Sequence, residues 1–199
     1  KPIIISTGML TLDELKESVQ TIIESGCNKY ILLKCTSNYP STPKNSNIFT
    51  IPHMKKLFSC EIGLSDHTMG IGTSIAAISQ GACIIEKHFT LDRNEGGVDS
   101  AFSLEPEEMK NLVIETNRAW ESLGKINYGP TDEEIQSLKF RRSIYVSEDM
   151  KKGDVFSYNN LRIIRPGFGL APKHINKLIG KSTNKDIKKG TATSWDLIN

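Results

Sequence analysis

The sequence predicts an α/β fold with a parallel sheet, followed by a small domain made mostly of β-structure. Over residues 1–123, short β-branched apolar runs alternate with segments whose apolar residues recur at helical spacing. Such alternation is typical of parallel strands covered by helices. From Gly124 onward the pattern changes to short β-like runs that are broken by glycine and proline.

The first region contains four strand–helix units. Thr11 lies three residues before Glu14, which is the spacing of a capping box, and apolar residues at helical period follow from Leu12. The predicted strands cover residues 2–6, 29–35, 61–64 and 82–86, and the later helices cover residues 51–59, 70–80 and 105–123. Polar residues end these strands, as in a (β/α)8 barrel, where the loops after the strands carry the chemistry.

Four units make only half of such a barrel, because a complete one needs about 250 residues. Half a barrel leaves two parallel edges open, an arrangement that natural sheets rarely show. A small doubly wound sheet is the alternative. Since the chain enters a strand directly after Lys1, we expect the C-terminal half of a (β/α)8 barrel, with about 100–150 further residues before it.

The last part of the chain predicts a separate, mostly β domain. Residues 124–140 are polar and are expected to form a linker, and residues 141–199 form the small domain, with β-runs at 143–146 and 161–164. Asp149-Met150-Lys151-Lys152-Gly153 and Asp186-Ile187-Lys188-Lys189-Gly190 indicate two turns of similar design. A domain of this size has a thin core, so we expect it to lean on another surface.

Composition excludes several classes of protein. The chain has 199 residues, of which 38% are hydrophobic and 24% are charged, as is usual for a soluble globular protein. A net charge of +2 from scattered lysines and arginines gives no reason to expect nucleic acid. The apolar runs are too short to cross a membrane. Single cysteines without CxxC spacing indicate reduced thiols and a cytoplasmic protein.

Two histidines carry the strongest chemical signal. His67 and His88 each follow a predicted strand, and the two strands are consecutive, so both side chains are expected at one mouth. Two imidazoles at neighbouring strand ends form a plausible first-row metal site with open positions for substrate. A histidine satisfied by hydrogen bonds at a loop end is the alternative for either residue alone. His53 and His174 lack such a setting and are expected to be ordinary surface residues.

Hydroxyl and amine groups lie at other strand ends. Ser6 ends the first predicted strand, and Lys34 and Ser37 lie at the end of the second. By charge and by number of donors, this set suits a phosphate group. Each serine alone is equally well explained as a turn or cap residue.

Several separated motifs occur in a characteristic order along the chain. They are Ser6-Thr7-Gly8-Met9, Cys35-Thr36-Ser37-Asn38-Tyr39-Pro40, Gly63-Leu64-Ser65-Asp66-His67-Thr68, Glu86-Lys87-His88-Phe89-Thr90 and Arg165-Pro166-Gly167. Together they resemble the sialic acid synthase family, which includes the pseudaminic and legionaminic acid synthases, and the resemblance spans essentially the whole chain. Residues 32–37 and 96–104 look most like the pseudaminic branch, and residues 141–199 resemble the family's SAF (antifreeze-like) domain.

The resemblance implies an enzyme that condenses phosphoenolpyruvate with an amino sugar. It implies a divalent metal on His67 and His88, expected to be Mn²⁺, with Mg²⁺ or Co²⁺ as alternatives. The positions that match residues around the two substrates are Ser6, Ser37, Tyr39 and Ser65. Glu86 matches a carboxylate near the metal that orients water or takes a proton.

The resemblance also implies roles for Asp99 and Arg165. Asp99 matches a residue that contacts the sugar, although on its own it would be a solvated loop aspartate. Arg165 precedes a Pro-Gly turn and matches an arginine that reaches the sugar from the small domain of a partner subunit. A domain-swapped homodimer is therefore expected. The family's first four strands carry further catalytic groups, which have no counterpart in these 199 residues.

Three alternatives remain open at this point. Within the same enzyme class, the product is N-acetylneuraminic or legionaminic acid rather than pseudaminic acid. In a different class, the chain is a non-catalytic sugar-binding or ice-binding-like module, although such a module needs no pair of histidines. A doubly wound phosphate-binding protein would require a glycine-rich loop after the first strand, and only Ser6-Thr7-Gly8 is present there.

Overall fold

The computed structural model describes residues 1–199, which divide into two compact units, Lys1–Lys125 and Ile126–Asn199. The first unit contains a four-stranded parallel sheet in the order β1-β2-β3-β4. Its strands are β1 (Ile3–Ser6), β2 (Tyr30–Cys35), β3 (Glu61–Asp66) and β4 (Ile85–Lys87), and its helices are α1 (Leu12–Glu24), α2 (Thr50–Phe58), α3 (Gly72–Ser79) and α4 (Pro106–Leu123). β3 runs two residues beyond its predicted end, because Ser65 and Asp66 pair with Glu86 and Lys87 of β4.

The capping box predicted for α1 is present. The Thr11 hydroxyl accepts from the Glu14 amide at 3.4 Å, and the Thr11 amide donates to the Glu14 carboxylate at 2.7 Å. These reciprocal bonds satisfy two amides that the first helical turn would leave unpaired. Bonding by the Thr11 hydroxyl and amide also holds the pKa of Glu14 below its ordinary value.

One hydrogen bond demonstrates the curvature of the sheet. Neighbouring strands lie about 4.8 Å apart, so β1 and β4 would be about 14 Å apart in a flat four-stranded sheet. The Ser6 hydroxyl nevertheless donates to Glu86 Oε1 at 3.1 Å, across β2 and β3. The sheet is therefore curled, with both side chains on its concave face. This is the predicted half of a (β/α)8 barrel.

The core of the first unit lies between the convex face of the sheet and helices α1 to α3. Side chains alternate along each strand, so Leu32, Ile62 and Leu64 face the helices while Leu33, Gly63 and Ser65 face the concave side. The buried cluster consists of Leu15, Val19, Leu32, Ile51, Met54, Ile62, Leu64, Ala77 and Ala82. On the concave side Ile4 is 55% exposed. The hydrophobic core thus fixes the strands from the convex side. The concave side is buried at its centre, at Leu33 and Ser65, and is exposed only toward its edge strands.

The second unit is the predicted small β domain. Its antiparallel pair is β5 (Ser143–Val146) and β6 (Leu161–Ile164), at the predicted positions, and a short helix, α5 (Ile175–Leu178), follows. A 3-10 helix, Asp132–Phe140, occupies much of the segment expected to be a linker, and it belongs to this unit. The buried cluster is Ile144, Val146, Met150, Phe156, Leu161, Leu178, Ile187 and Leu197.

The two turns of similar design pair with each other. Met150 and Ile187 exchange backbone hydrogen bonds of 2.8 Å in both directions. Lys151 Nζ lies 2.9 Å from the Asp186 carboxylate, and Lys188 Nζ lies 2.7 Å from that of Asp149. The repeated sequence therefore forms a reciprocal arrangement in which each turn supplies the other's counter-ion.

No helix of the chain combines the length and hydrophobicity needed to span a bilayer.

Candidate active site

The carboxyl ends of the strands place a carboxylate between two serines. The Ser65 hydroxyl donates to Glu86 Oε1 at 2.7 Å, and the Ser6 hydroxyl donates to the same oxygen at 3.1 Å. Ser65 is 3% exposed, whereas Glu86 lies on the open concave face. Because both bonds go to Oε1, the carboxylate is held in one orientation and Oε2 has no side-chain donor of its own.

Beside this carboxylate lies a cluster of rings. The imidazole centroids of His67 and His88 are 5.1 Å apart. The Tyr39 ring lies 4.2 Å from that of His67 and 5.8 Å from that of His88. The structure thus brings together side chains from the ends of β3 and β4 with one from the loop after β2.

The orientation of His67 leaves one nitrogen available. His67 Nδ1 lies 2.9 Å from the backbone oxygen of Thr36. A carbonyl only accepts, so Nδ1 carries a proton and Nε2 is the nitrogen through which the neutral ring would bind a metal, as in metal-binding histidines whose second nitrogen is held by a carbonyl. His67 as a whole is only 6% exposed, so this orientation is fixed in a largely buried setting.

His88 has its own partner on the loop that follows β4. Its Nδ1 lies 3.7 Å from Asp99 Oδ2, and both side chains are about one-third exposed. Asp99 has a left-handed backbone (φ 67°), and its carbonyl accepts from the Ser103 hydroxyl at 2.8 Å. Phe102, which is buried, lies 5.0 Å from the His88 ring between centroids. Asp99 and Phe102, both from the loop after β4, are therefore direct neighbours of the His88 ring.

The two histidines fit part of a metal site. Imidazole suits first-row divalent metals, and the available Nε2 of His67 meets the requirement for a neutral ligand. No group of three or more His, Cys, Asp or Glu side chains of this chain converges on one point. His67 and His88 would thus supply two ligands, and the remaining positions would fall to water, substrate or groups outside these 199 residues.

Lys34 does not join the other predicted residues. It faces the helices, like Leu32 on the same strand, and its Nζ donates to the Cys35 carbonyl at 2.7 Å and to the Thr36 hydroxyl at 3.1 Å. Burial lowers the pKa of this amine. Its connection to the site is indirect, because Thr36 also supplies the carbonyl that orients His67.

The two remaining predicted residues lie in different units of the chain, Ser37 in the first and Arg165 in the second. Ser37 lies against the loops after β1 and β2: its Oγ is 3.9 Å from Cys35 Sγ, and a Cβ on Gly8 would come within 3.2 Å of it. Arg165 lies in the second unit, exposed at the end of β6. The turn that follows it is fixed, because the Ser143 hydroxyl donates to the Pro166 carbonyl at 2.8 Å and accepts from the Gly169 amide at 2.9 Å.

Sequence reasoning missed two groups of residues near the histidines. Phe102 lies far along the loop from His88, and no local pattern marks it as a ring neighbour. Asp66 and Lys87 form a buried ion pair of 3.0 Å directly before the two histidines. Their shared position, one residue before each histidine on adjacent strands, was the signal that could have found them.

The fold defines the chain as half of a (β/α)8 barrel followed by a small, mostly β domain. Residues 1–128 match the model of the NeuB family, and residues 141–199 match that of the SAF domain. The chain belongs to the NeuB family.

Relatives agree with this assignment. The pseudaminic acid synthase of Campylobacter jejuni is 40% identical over 192 residues, which are 96% of this chain and 56% of that protein. The N,N'-diacetyllegionaminic acid synthase of Legionella pneumophila is 38% identical over 202 residues, 99% of this chain and 57% of that protein. The crystal structure of the spore coat polysaccharide biosynthesis protein SpsE of Bacillus subtilis matches all of this chain and 61% of its own, with 31% identity and a TM-score of 0.60. The chain thus spans a little over half the length of these relatives.

Proposed function

We propose that the chain is the C-terminal part of a synthase that condenses phosphoenolpyruvate with 2,4-diacetamido-2,4,6-trideoxy-L-altrose to give pseudaminic acid and phosphate. The observation that carries this proposal is the convergence of Glu86, His67 and His88 at the carboxyl edge of the half-barrel. The pseudaminic and N,N'-diacetyllegionaminic acid synthase relatives support the reaction class.

Fewer observations favour pseudaminic acid as the particular product than favour the reaction class. The Campylobacter relative is two percentage points more similar than the Legionella one, at 40% against 38%. Residues 96–104, which resemble the pseudaminic branch, include Asp99 and Phe102 beside His88. Lys34, the other branch-like residue, acts on the site only through Thr36. Legionaminic acid is therefore the second candidate product.

The reaction joins the nucleophilic carbon of phosphoenolpyruvate to the aldehyde carbon of the open-chain sugar. Water then adds to the cationic carbon that bore the phosphate, and phosphate leaves with cleavage of the C–O bond. A divalent metal held by His67 and His88, expected to be Mn²⁺, would supply Lewis acidity at the aldehyde oxygen.

The chain's own residues have distinct tasks in this scheme. Glu86, held by Ser6 and Ser65 through Oε1, orients the water or takes its proton at Oε2. Tyr39 forms an aromatic wall against His67. Asp99 contacts the sugar from the loop after β4. The Ser6 and Ser65 hydroxyls are occupied by Glu86, so Ser37 is the serine whose hydroxyl would donate to the anionic groups of phosphoenolpyruvate.

We further propose a cytoplasmic, domain-swapped homodimer in which the partner subunit's Arg165 covers the sugar site. Arg165 is exposed on a turn fixed by hydrogen bonds from Ser143, which suits a guanidinium presented to a polar ligand. Neither nucleic acid nor a membrane is part of this proposal.

Product identity is tested by giving the intact protein phosphoenolpyruvate and Mn²⁺ with each of three sugars. The sugars are the diacetamido altrose derivative, the legionaminic acid precursor and N-acetylmannosamine. We expect phosphate release with the altrose derivative, and a product with the mass of pseudaminic acid. Faster release with N-acetylmannosamine would overturn the branch assignment. Sugar binding without any phosphate release would favour the non-catalytic module.

A further inference from the structure

A buried ion pair links the chain segments that carry the two histidines. Lys87 Nζ lies 3.0 Å from Asp66 Oδ2, and the two side chains are only 2% and 1% exposed. They lie on the convex face of the sheet, below α3, where the Ser74 hydroxyl also donates to Asp66 Oδ2 at 2.6 Å. The scheme described above gives this pair no role.

The hydrogen bonds of the pair surround His67. The Thr68 amide donates to Asp66 Oδ1 at 2.8 Å, and Lys87 Nζ donates to the Thr68 carbonyl at 2.6 Å. The residues before and after His67 are therefore both bound to Lys87, which directly precedes His88. Any movement of one histidine-bearing segment relative to the other would break one or more of these bonds.

Stability alone does not account for such a pair. Replacing a buried ion pair by apolar residues of similar volume is often neutral or stabilising, because the desolvation of two charges offsets their attraction. Directional bonds nevertheless differ from apolar contacts in one respect: they fix a register and a direction, whereas apolar side chains tolerate small shifts.

We propose that Asp66 and Lys87 are positioning residues that set the separation and direction of the His67 and His88 imidazoles for a divalent cation. This inference rests on the proposed function, since it requires the two histidines to hold the metal. The pair acts through the backbone and touches neither the cation nor the substrates.

The experiment measures Mn²⁺ affinity of the intact protein from the paramagnetic resonance signal of free Mn²⁺. The variant is Asp66→Leu/Lys87→Met, which removes both charges together, so that neither is left buried and unpaired and the net charge is unchanged. We expect affinity to fall about 10- to 100-fold, as on loss of groups that orient metal ligands. The thermal unfolding midpoint, recorded in parallel, reports any structural loss separately.

Two controls accompany this variant. Lys55→Met/Glu61→Leu removes an exposed pair at the start of β3, where the side chains are 47% and 54% exposed, and should bind Mn²⁺ like the wild type. Ser74→Ala removes one hydrogen bond to Asp66 and keeps both charges. It decides the matter if the double variant does not fold, with an expected loss of about threefold.

The outcomes separate this inference from the proposed function. Mn²⁺ binding that is lost in His67→Ala and weakened in the Asp66/Lys87 variant supports both. If Mn²⁺ binding is lost in His67→Ala but unchanged in the Asp66/Lys87 variant, the positioning role alone is overturned. Unchanged binding in Ser74→Ala has the same meaning if the double variant does not fold. Binding that is insensitive to His67→Ala overturns both.

Discussion

Gly63→Ala should destabilise the half-barrel, because β2 and the residue before β4 leave no room for a side chain at this position of β3. A Cβ on Gly63 would lie 2.5 Å from the Ile84 carbonyl oxygen and 2.5 Å from Leu33 Cδ2. Neither neighbour can withdraw easily, since the Ile84 oxygen accepts from the Leu64 amide at 2.8 Å and Leu33 is fully buried. Overpacking of a core costs about 1–3 kcal/mol, and we expect the upper half of that range here.

The assay is denaturant unfolding of the wild type and the variant, compared through the free energy of unfolding. Gly72→Ala is the matched control: its Cβ would have no atom within 4 Å, and Gly72 begins α3, where alanine is the better helix former. We expect the control to be unchanged or slightly more stable. Equal stability of Gly63→Ala and the wild type would refute the close approach of Leu33 to β3.

Three further predictions concern the site and the small domain. Ser65→Ala removes the shorter hydrogen bond to Glu86, so kcat/KM for phosphate release should fall about tenfold, as for a bond to a charged group; an unchanged value would argue against a role for the carboxylate. Hydrogen bonds from the Lys188 side chain and the Lys189 amide hold the pKa of Asp149 below its ordinary value of 3.8. The Asp149 carboxylate therefore contributes to stability above pH 3.8, and this contribution is lost as the pH falls through the lowered pKa. The thermal unfolding midpoints of the wild type and Asp149→Asn should differ at neutral pH and converge in acid. The difference at neutral pH should be smaller at high salt. Arg165→Ala should raise the KM for the sugar about tenfold without changing the unfolding midpoint, because the side chain is exposed; an unaltered KM would contradict its placement over the site.

Sequence patterns predicted the strands well, because apolar alternation and strand ends are local properties. β5 and β6 lie at their predicted positions, and the repeated Asp-apolar-Lys-Lys-Gly segments proved to be reciprocal turns. His67 and His88 directly follow β3 and β4, so parallel pairing alone brings them to the same edge.

The position of Lys34 was harder to predict, because it depends on which face of β2 meets the helices. Leu32 and Lys34 share one face, and the core shows that this face is the convex one. The alternation was visible in the sequence, but the register that aligns Cys35 with Ser65 was not. Phe102 needed the path of a whole loop, which no local pattern specifies.

The central claim is that His67 and His88 serve a metal-dependent condensation at the open mouth of the half-barrel. Its most direct test is phosphate release by the intact protein with phosphoenolpyruvate, the diacetamido altrose sugar and Mn²⁺, before and after chelation, and in His67→Ala and His88→Ala. We predict phosphate in equal amount to a new acidic sugar, with release falling to background after chelation and in both variants. Release that persists in either variant, or none from the wild type with any of the three sugars, would contradict the claim.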